Sequence, residues 1–495
     1  MLVHDLIKCG QVDDMAIADK YKNFTYAEFA QSVKKFRNRL YSLGVRQGDR
    51  VAIFARNSAE FIFTYFATAS LGAINVPINF QLSNPETAFI LKNSGAKVLL
   101  TYTPLDIEEY FTEDLKVPQY DITTFGEKDF DVDAPELPAD FDENSPCVII
   151  YTSGTTGNPK GAVLSHKNLI HNTKQCSVFK CHKDCKVLCV LPMYHCFEWT
   201  CAVLHSFYCG AQIHVMANFK PKDMIEVVRK NEITDIIAVP SILSLVTALA
   251  KPEDFKTVRF AMSGGTTLPE KIITNFKEKF GLPIAEGYGL SETSPAVFLT
   301  THGKERVGSV GNMLPEEEVR LVDSNGNDVA VGEPGEVLVR GGNVMLEYWK
   351  NPEATNAAFD KDGWFHTGDV AKCDSDGYYY IVDRIKEMII SMGENIYPRE
   401  VEEVVYKFEG IQDAAVVGVE DKLRGQAGAC FYVMKDGATM NMHNFKKFLQ
   451  KNLALYKIPR EFHELKEMPR TSTGKISKRK ILELFQEKKS QQAKK

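Results

Sequence analysis

The chain predicts an α/β protein with a large N-terminal domain of helix-covered, mostly parallel sheets, a small β-rich subdomain and a small α+β C-terminal domain. Three observations predict it. Short apolar runs alternate with helical patterns through the first 300 residues, which implies parallel strands covered by helices. From about 306 to 383 the pattern changes to short strands and Gly turns. Beyond that lies a helix–strand–strand–helix series long enough, at roughly 110 residues, to fold as a separate domain.

The elements follow in order. RVAIFA (50–55) and KVLLTY (97–102) are apolar runs bounded by polar residues and read as strands. Between them, SAEFIFTYFATASLG (58–72) offers Ser at the N-cap and Gly at the stop of a helix. The stretch 131–146, with six acidic residues and three Pro, reads as an exposed connector. TDIIAVP (234–240) and VRFAMSGG (258–265) are strands ending in turns, where open α/β sheets place their ligands. EVRLVDSNGND, GEVLVRGG and YYYIVDR form the β-rich part. EVEEVVYKF (400–408) and NMHNFKKFLQKNL (441–453) are helices flanking the strands DAAVVGVED (413–421) and AGACFYVMKDG (427–437). The basic tail 474–495 is expected to fray at its end.

Bulk properties exclude several classes. At 495 residues the chain exceeds one compact core. A net charge of −6 with no broadly basic domain argues against nucleic acid. No apolar run reaches membrane-span length, and the N-terminus lacks a secretory pattern, so the cytoplasm is the expected compartment. Eleven Cys fit a reducing environment. Seven of them (176, 181, 185, 189, 196, 201 and 209) cluster with His182, His195 and His205. A zinc site there would be expected to show a CxxC pair, which is absent. Those at 189, 201 and 209 stand in apolar contexts, as small buried hydrophobes do.

The most informative stretch is YTSGTTGNPKGAVLSH (151–166). Its Gly, Thr and Ser residues can aim N–H groups and hydroxyls at one anion, and Lys160 adds positive charge. It is not a P-loop, because no Ser or Thr follows the Lys. The flanks CVII and GAVLS read as strands, so the loop joins two strands.

This loop closely resembles the signature of the adenylate-forming (AMP-binding) superfamily. SGGTTLPEK (263–271), EGYGLSETSP (286–295), GWFHTGDVAKCDSDGYYYIVDR (363–384), IKEMIISMGENIYPREVEE (385–403) and PRTSTGKISKRK (469–480) fit in the right order. The resemblance spans essentially the whole chain and is nearest to the acyl-CoA synthetase branch. It implies a boundary at 384/385, with residues 1–384 forming the AMP-binding domain. Residues 385–495 would then form a mobile domain hinged at Lys386.

The resemblance also implies roles. Thr152, Ser153, Gly154, Thr155, Thr156, Gly157 and Lys160 would hold the β- and γ-phosphates of ATP. Gly265, Thr266 and Thr267 would meet adenine, with Thr-Thr where relatives often carry Ala-Pro. Tyr288 would stack on adenine, with Glu286 and Gly287 at its edge. Ser291 and Glu292 match the Thr-Glu pair serving phosphate and Mg²⁺, and a carboxylate is the hard ligand Mg²⁺ prefers. Asp369 and Arg384 would meet the ribose. Lys475 would neutralise charge at the α-phosphate, and Met392 and Gly393 lie in the loop facing CoA. LPMYHCFEWT (191–200) is similar to the acyl segment of fatty-acyl-CoA ligases, with His195 near the carboxylate and Phe197 along the acyl wall. A core role for His195 is the alternative, given its apolar neighbours.

The expected activity is ATP-dependent activation of a medium- or long-chain fatty acid to acyl-AMP, then transfer to CoA. An acyl-AMP ligase loading a carrier protein and a non-catalytic nucleotide binder on the same fold are the rivals. No carrier domain is fused, and Lys475, Glu292 and Asp369 are intact.

Overall fold

A computed structural model describes residues 1–112, 116–127, 132–152, 159–266, 268–391, 394–421, 423–470 and 476–493. Two units divide the chain: residues 1–319 with 339–365, and residues 320–338 with 366–495.

The first unit holds two large sheets. One has seven strands, in the order Glu347–Tyr348, Lys160–Ser165, Pro146–Thr152, Ile74–Pro77, Arg50–Phe54, Val98–Thr101 and Gln119–Asp121. Its last five strands are parallel, while Lys160–Ser165 runs antiparallel to Pro146–Thr152. The other has nine strands and is parallel from Met15–Ala18 through Ile284–Gly289, before Ala296–Leu299 turns back antiparallel.

The helices form where the sequence supplies caps. Thr25 accepts from the Glu28 N–H at 3.2 Å, and the Glu28 carboxylate accepts from the Thr25 N–H at 2.8 Å. This reciprocal pair satisfies two orphan donors of the Tyr26–Ser42 helix. Ser58 accepts from the Phe61 N–H at 3.2 Å and opens Ala59–Ser70. That helix is buried on nearly every side, so it reads apolar all round rather than striped. Phe29, Phe66 and Phe207 pack edge-on or tilted at its flank, with ring centroids 4.9–5.7 Å apart.

Residues 132–145 form no helix or strand and only Ala134 among them is buried, as expected of an exposed connector, but the segment is anchored to the first helix. Arg37, itself buried, binds Glu136 at 2.6 Å and the Pro135 carbonyl, and Ala134 is buried with its N–H on Asn38. A buried guanidinium needs such partners, so two of the segment's residues serve the core.

A four-stranded sheet orders Glu317–Val322, Gly335–Gly341, Phe365–Cys373 and Tyr379–Arg384; its first three strands each run across the division between units, and most of the last two belong to the second. A five-stranded sheet is built on the long antiparallel pair Ile411–Asp421 and Gly425–Met434. The helices Pro398–Tyr406 and Met442–Asn452 supply Val401, Val405, Phe445 and Leu449 to its core. The tail does not fray at once. It forms the helix Lys478–Ala493, because Ile481 and Phe485 bury against Val417 and Phe431.

Candidate active site

The two strands flanking the Gly/Thr loop pair in register, Thr152 opposite Lys160. Ser153, Gly154, Thr155, Thr156 and Gly157 lie outside the described residues. What is placed is the root of the loop: the Lys160 ammonium stands 5.1 Å from the centroid of the Tyr348 ring. The Tyr348 hydroxyl donates to Glu292 Oε1 at 2.8 Å. Lys160, Tyr348 and Glu292 thus form a row of cation, phenol and carboxylate.

Local structure fixes that row. Glu347–Tyr348 pairs antiparallel with Ala162 and Val163. Glu292 sits in the short 3₁₀ turn Ser291–Thr293, and its carbonyl accepts from the Met345 N–H at 2.8 Å. Burial, then the Glu292 charge, pushes the Tyr348 phenol pKa far up, so it stays a donor. Tyr348 was missed by sequence reasoning. Its only signal there is an aromatic two residues before Lys350, in a strand of two residues.

The carboxyl ends of Phe260–Ser263 and Ile284–Gly289 supply the next group. Gly265 adopts φ +77°, in the left-handed region that glycine favours; Thr266 is exposed, and Thr267 lies outside the described residues. Ser263 Oγ is fully buried and finds no partner among the described residues. Glu286 is buried, and its backbone is held on both sides by Thr300. Tyr288 is half-buried and stacks on its cross-strand partner Phe298, centroids 5.6 Å apart at 27°. A Cβ at Gly287 would stand 2.5 Å from the end of the Met262 side chain and 2.6 Å from that of Leu299, so any side chain there requires both to shift.

The segment 191–204 joins these groups. His195 is half-buried; its Nδ1 accepts from the Phe197 N–H at 3.2 Å. Cys196 Sγ lies 3.4 Å from Ser291 Oγ. The Phe197 ring backs Gly264 so closely that a Cβ there would stand 2.9 Å from Cζ. Glu198 then opens a π-helical stretch, Glu198–Leu204. It is fully buried, and burial pushes its pKa up to about 8 in spite of the Cys189 thiol and the backbone at Leu191 and Val190, which favour the charged form. Trp199 is buried with its ring tilted 36° against Tyr65, centroids 4.1 Å apart.

In the second unit Asp369 pairs across its sheet with Arg384, whose Nε lies 3.0 Å from Oδ1. Asp369 is buried and Arg384 half-exposed. Lys386 is exposed in the 3₁₀ turn Ile385–Glu387. Lys478 ties Glu387 to Glu402, each at 3.0 Å. Met392, Gly393 and Lys475 lie outside the described residues.

These residues fit a magnesium nucleotide. The donor set is that of an oxygen-ligand cation, with an anionic Glu292 oriented by a phenol. The orphaned Ser263 hydroxyl beside two adjacent glycines leaves an unmet hydrogen bond at a strand end.

Comparison with known proteins agrees. The AMP-binding enzyme family matches residues 9–349, and the AMP-binding enzyme C-terminal domain matches residues 400–475. A feruloyl-CoA synthase of Amycolatopsis sp is 36% identical over 93% of this chain and 94% of its own length. A long-chain-fatty-acid–CoA ligase of Bacillus subtilis (strain 168) is 31% identical over 95% and 92%. The crystal structure of ATP-bound MatB from Rhodopseudomonas palustris superposes with a TM-score of 0.92 at 26% identity, covering 98% of this chain and 99% of that one. The chain belongs to the AMP-binding enzyme family. Within it, its place is among the adenylate-forming acid–CoA ligases. Among the described residues no helix is long and apolar enough to cross a membrane.

Proposed function

We propose that the acid is a medium- or long-chain fatty acid, and that CoA rather than a carrier protein accepts the acyl group. The observation that carries this reading is the apolar character of the His195 segment: Leu191, Met193, Tyr194, Phe197 and Trp199 are all buried, and His195 between them in sequence is half-buried. An apolar acid exchanges water for that surface at roughly 0.8 kcal/mol per CH₂.

ATP and Mg²⁺ would be held by Lys160, Ser291 and Glu292, with Tyr288 against adenine. Ser153, Gly154, Thr155, Thr156 and Gly157 would contact the outer phosphates, and Asp369 with Arg384 the ribose. Mg²⁺ supplies charge neutralisation at the phosphates when bound. Lys475 would serve the first half-reaction and the Met392–Gly393 loop the second. A boundary at 384/385 and a hinge at Lys386 are part of the proposal. So is a cytoplasmic setting, which the eleven free cysteines favour.

One observation favours a second reading, a phenylpropenoic acid: the feruloyl-CoA synthase is the more similar of the two relatives described above. A panel of octanoate, palmitate, acetate, 4-coumarate and ferulate, scored by pyrophosphate release and thioester formed with CoA, decides between them. Higher kcat/KM for palmitate or octanoate supports the fatty-acid reading. Preference for ferulate or coumarate replaces it with the second, and preference for acetate removes both.

A further inference from the structure

Two short motifs left aside by the ligase chemistry converge in the fold. Residues 181–185 read CHKDC, a tight turn before the strand Lys186–Cys189. Residues 205–209 read HSFYC, at the end of the helical segment that begins with Glu198. A ligand atom from each of Cys181, His205 and Cys209 lies within 4.8 Å of the other two.

His205 is built as a ligand would be. It is buried, and its Nδ1 lies 3.0 Å from the Thr173 carbonyl. A carbonyl can only accept, so Nδ1 carries the proton and Nε2 presents its lone pair. Nε2 lies 3.7 Å from Cys209 Sγ, close to the edge of a tetrahedron with a metal–sulfur bond of ~2.3 Å and a metal–nitrogen bond of ~2.0 Å. A second-shell carbonyl that orients a histidine is the usual support for a metal ligand. The helix places His205 and Cys209 on one face, four residues apart. Phe179, edge-on at 5.6 Å, and Tyr208 hold the ring.

A fourth donor is at hand. Cys185 closes the same turn as Cys181, and the two thiols lie close enough to perturb each other. Cys185 Sγ accepts from the His182 N–H at 3.2 Å and from Arg259 Nη2 at 2.8 Å. A divalent ion on three thiolates and an imidazole carries a net negative charge; the Arg259 guanidinium beside Cys185 is shared with the buried Asp235 carboxylate at 2.9 Å, so Arg259 and Asp235 form a neutral pair next to the site.

We propose that Cys181, Cys185, His205 and Cys209 form a structural site for a zinc-class cation, separate from the magnesium nucleotide site. Sulfur and imidazole donors select a soft tetrahedral ion over Mg²⁺. The thiols release their protons to solvent on binding. The ion would clip the 181–185 turn to the end of the helical segment that starts three residues after His195.

The test uses the full chain, expressed with added zinc and purified without chelator or nucleotide, with metal measured by plasma mass spectrometry. About one zinc per chain is expected in the wild type and in Cys176→Ser, whose thiol pairs instead with Cys201 at 3.8 Å. Cys181→Ser and Cys209→Ser should hold below ~0.1. A second readout does not depend on the variants folding: Co²⁺ added to metal-free wild type should give tetrahedral visible bands and a thiolate charge-transfer band. The proposal is overturned if the wild type lacks zinc and gives no such spectrum. It is equally overturned if Cys209→Ser keeps full metal, or if the intact mass shows a disulfide among these cysteines in its place.

Discussion

Replacing Glu198 with Gln should stabilise the protein at alkaline pH far more than at acidic pH. The wild-type carboxyl is fully buried, and its pKa is pushed from 4.5 up to about 8 by burial. Between those values the folded chain keeps the proton while the unfolded chain has lost it. Stability therefore falls as pH rises, by ~1.4 kcal/mol per unit, and levels off above about 8. From pH 5 to pH 8 the wild type should lose ~3.5 kcal/mol that the Gln variant keeps. A unit of more than 300 residues unfolds with ~0.7 kcal/mol/K of entropy, so the gap corresponds to ~5 °C in Tm. Any cost of burying the amide is common to both pH values and cancels in the difference. Differential scanning calorimetry of both proteins at pH 5 and pH 8 measures it. A Tm difference between variant and wild type that is the same at both pH values would refute the reasoning, because it would mean that Glu198 does not titrate in this window.

Tyr348→Phe removes the hydroxyl that holds Glu292. At ~1.5–3 kcal/mol for a hydrogen bond to a charged group, acid-dependent pyrophosphate release should fall roughly 10- to 100-fold with an unchanged far-ultraviolet spectrum; wild-type rates would remove Tyr348 from the site. Gly264→Ala sets a methyl 2.9 Å from Phe197 Cζ, so KM for the acid should rise several-fold (~1 kcal/mol) while KM for ATP holds. An unaltered acid KM would show that Phe197 does not wall the acid. Lys386→Pro should keep single-turnover pyrophosphate release and lose most thioester formation, since proline resists the backbone change a hinge absorbs. Lys475→Ala should do the reverse, forming acyl-CoA from synthetic acyl-AMP and CoA only. Equal loss of both halves in both folded variants would end the two-conformation scheme.

Much of the fold is legible where one local rule decides the outcome. Ser58 predicts the start of Ala59–Ser70 because its side chain has one good use there. The runs at 234–240 and 258–265 are strands because they are apolar, short and stopped by turns. The site is legible where the chemistry lies in contiguous letters, as at Ser291–Glu292. It fades where meaning depends on distant partners. Tyr348 acquires its role only when a two-residue strand lays it beside Ala162 and opposite Glu292. Cys181 and Cys209 are far apart in sequence, and the spacing of each motif alone points to packing. The acidic stretch before Pro146 is the exposed connector its composition suggests, but composition cannot show that its Glu136 reaches a buried Arg37.

The short strand Glu347–Tyr348 also forms the outer border of the seven-stranded sheet. Without it, Lys160–Ser165 would present open N–H and C=O groups to any passing chain, an invitation to edge-to-edge aggregation. A border only two residues long offers little template of its own. The strand that delivers a phenol to the carboxylate therefore also shields the root of the Gly/Thr loop from self-association. Damage to residues 347 and 348 should be felt in solubility as well as in turnover, and the two losses can be separated: Tyr348→Phe spares the backbone border, whereas a proline at 348 breaks it.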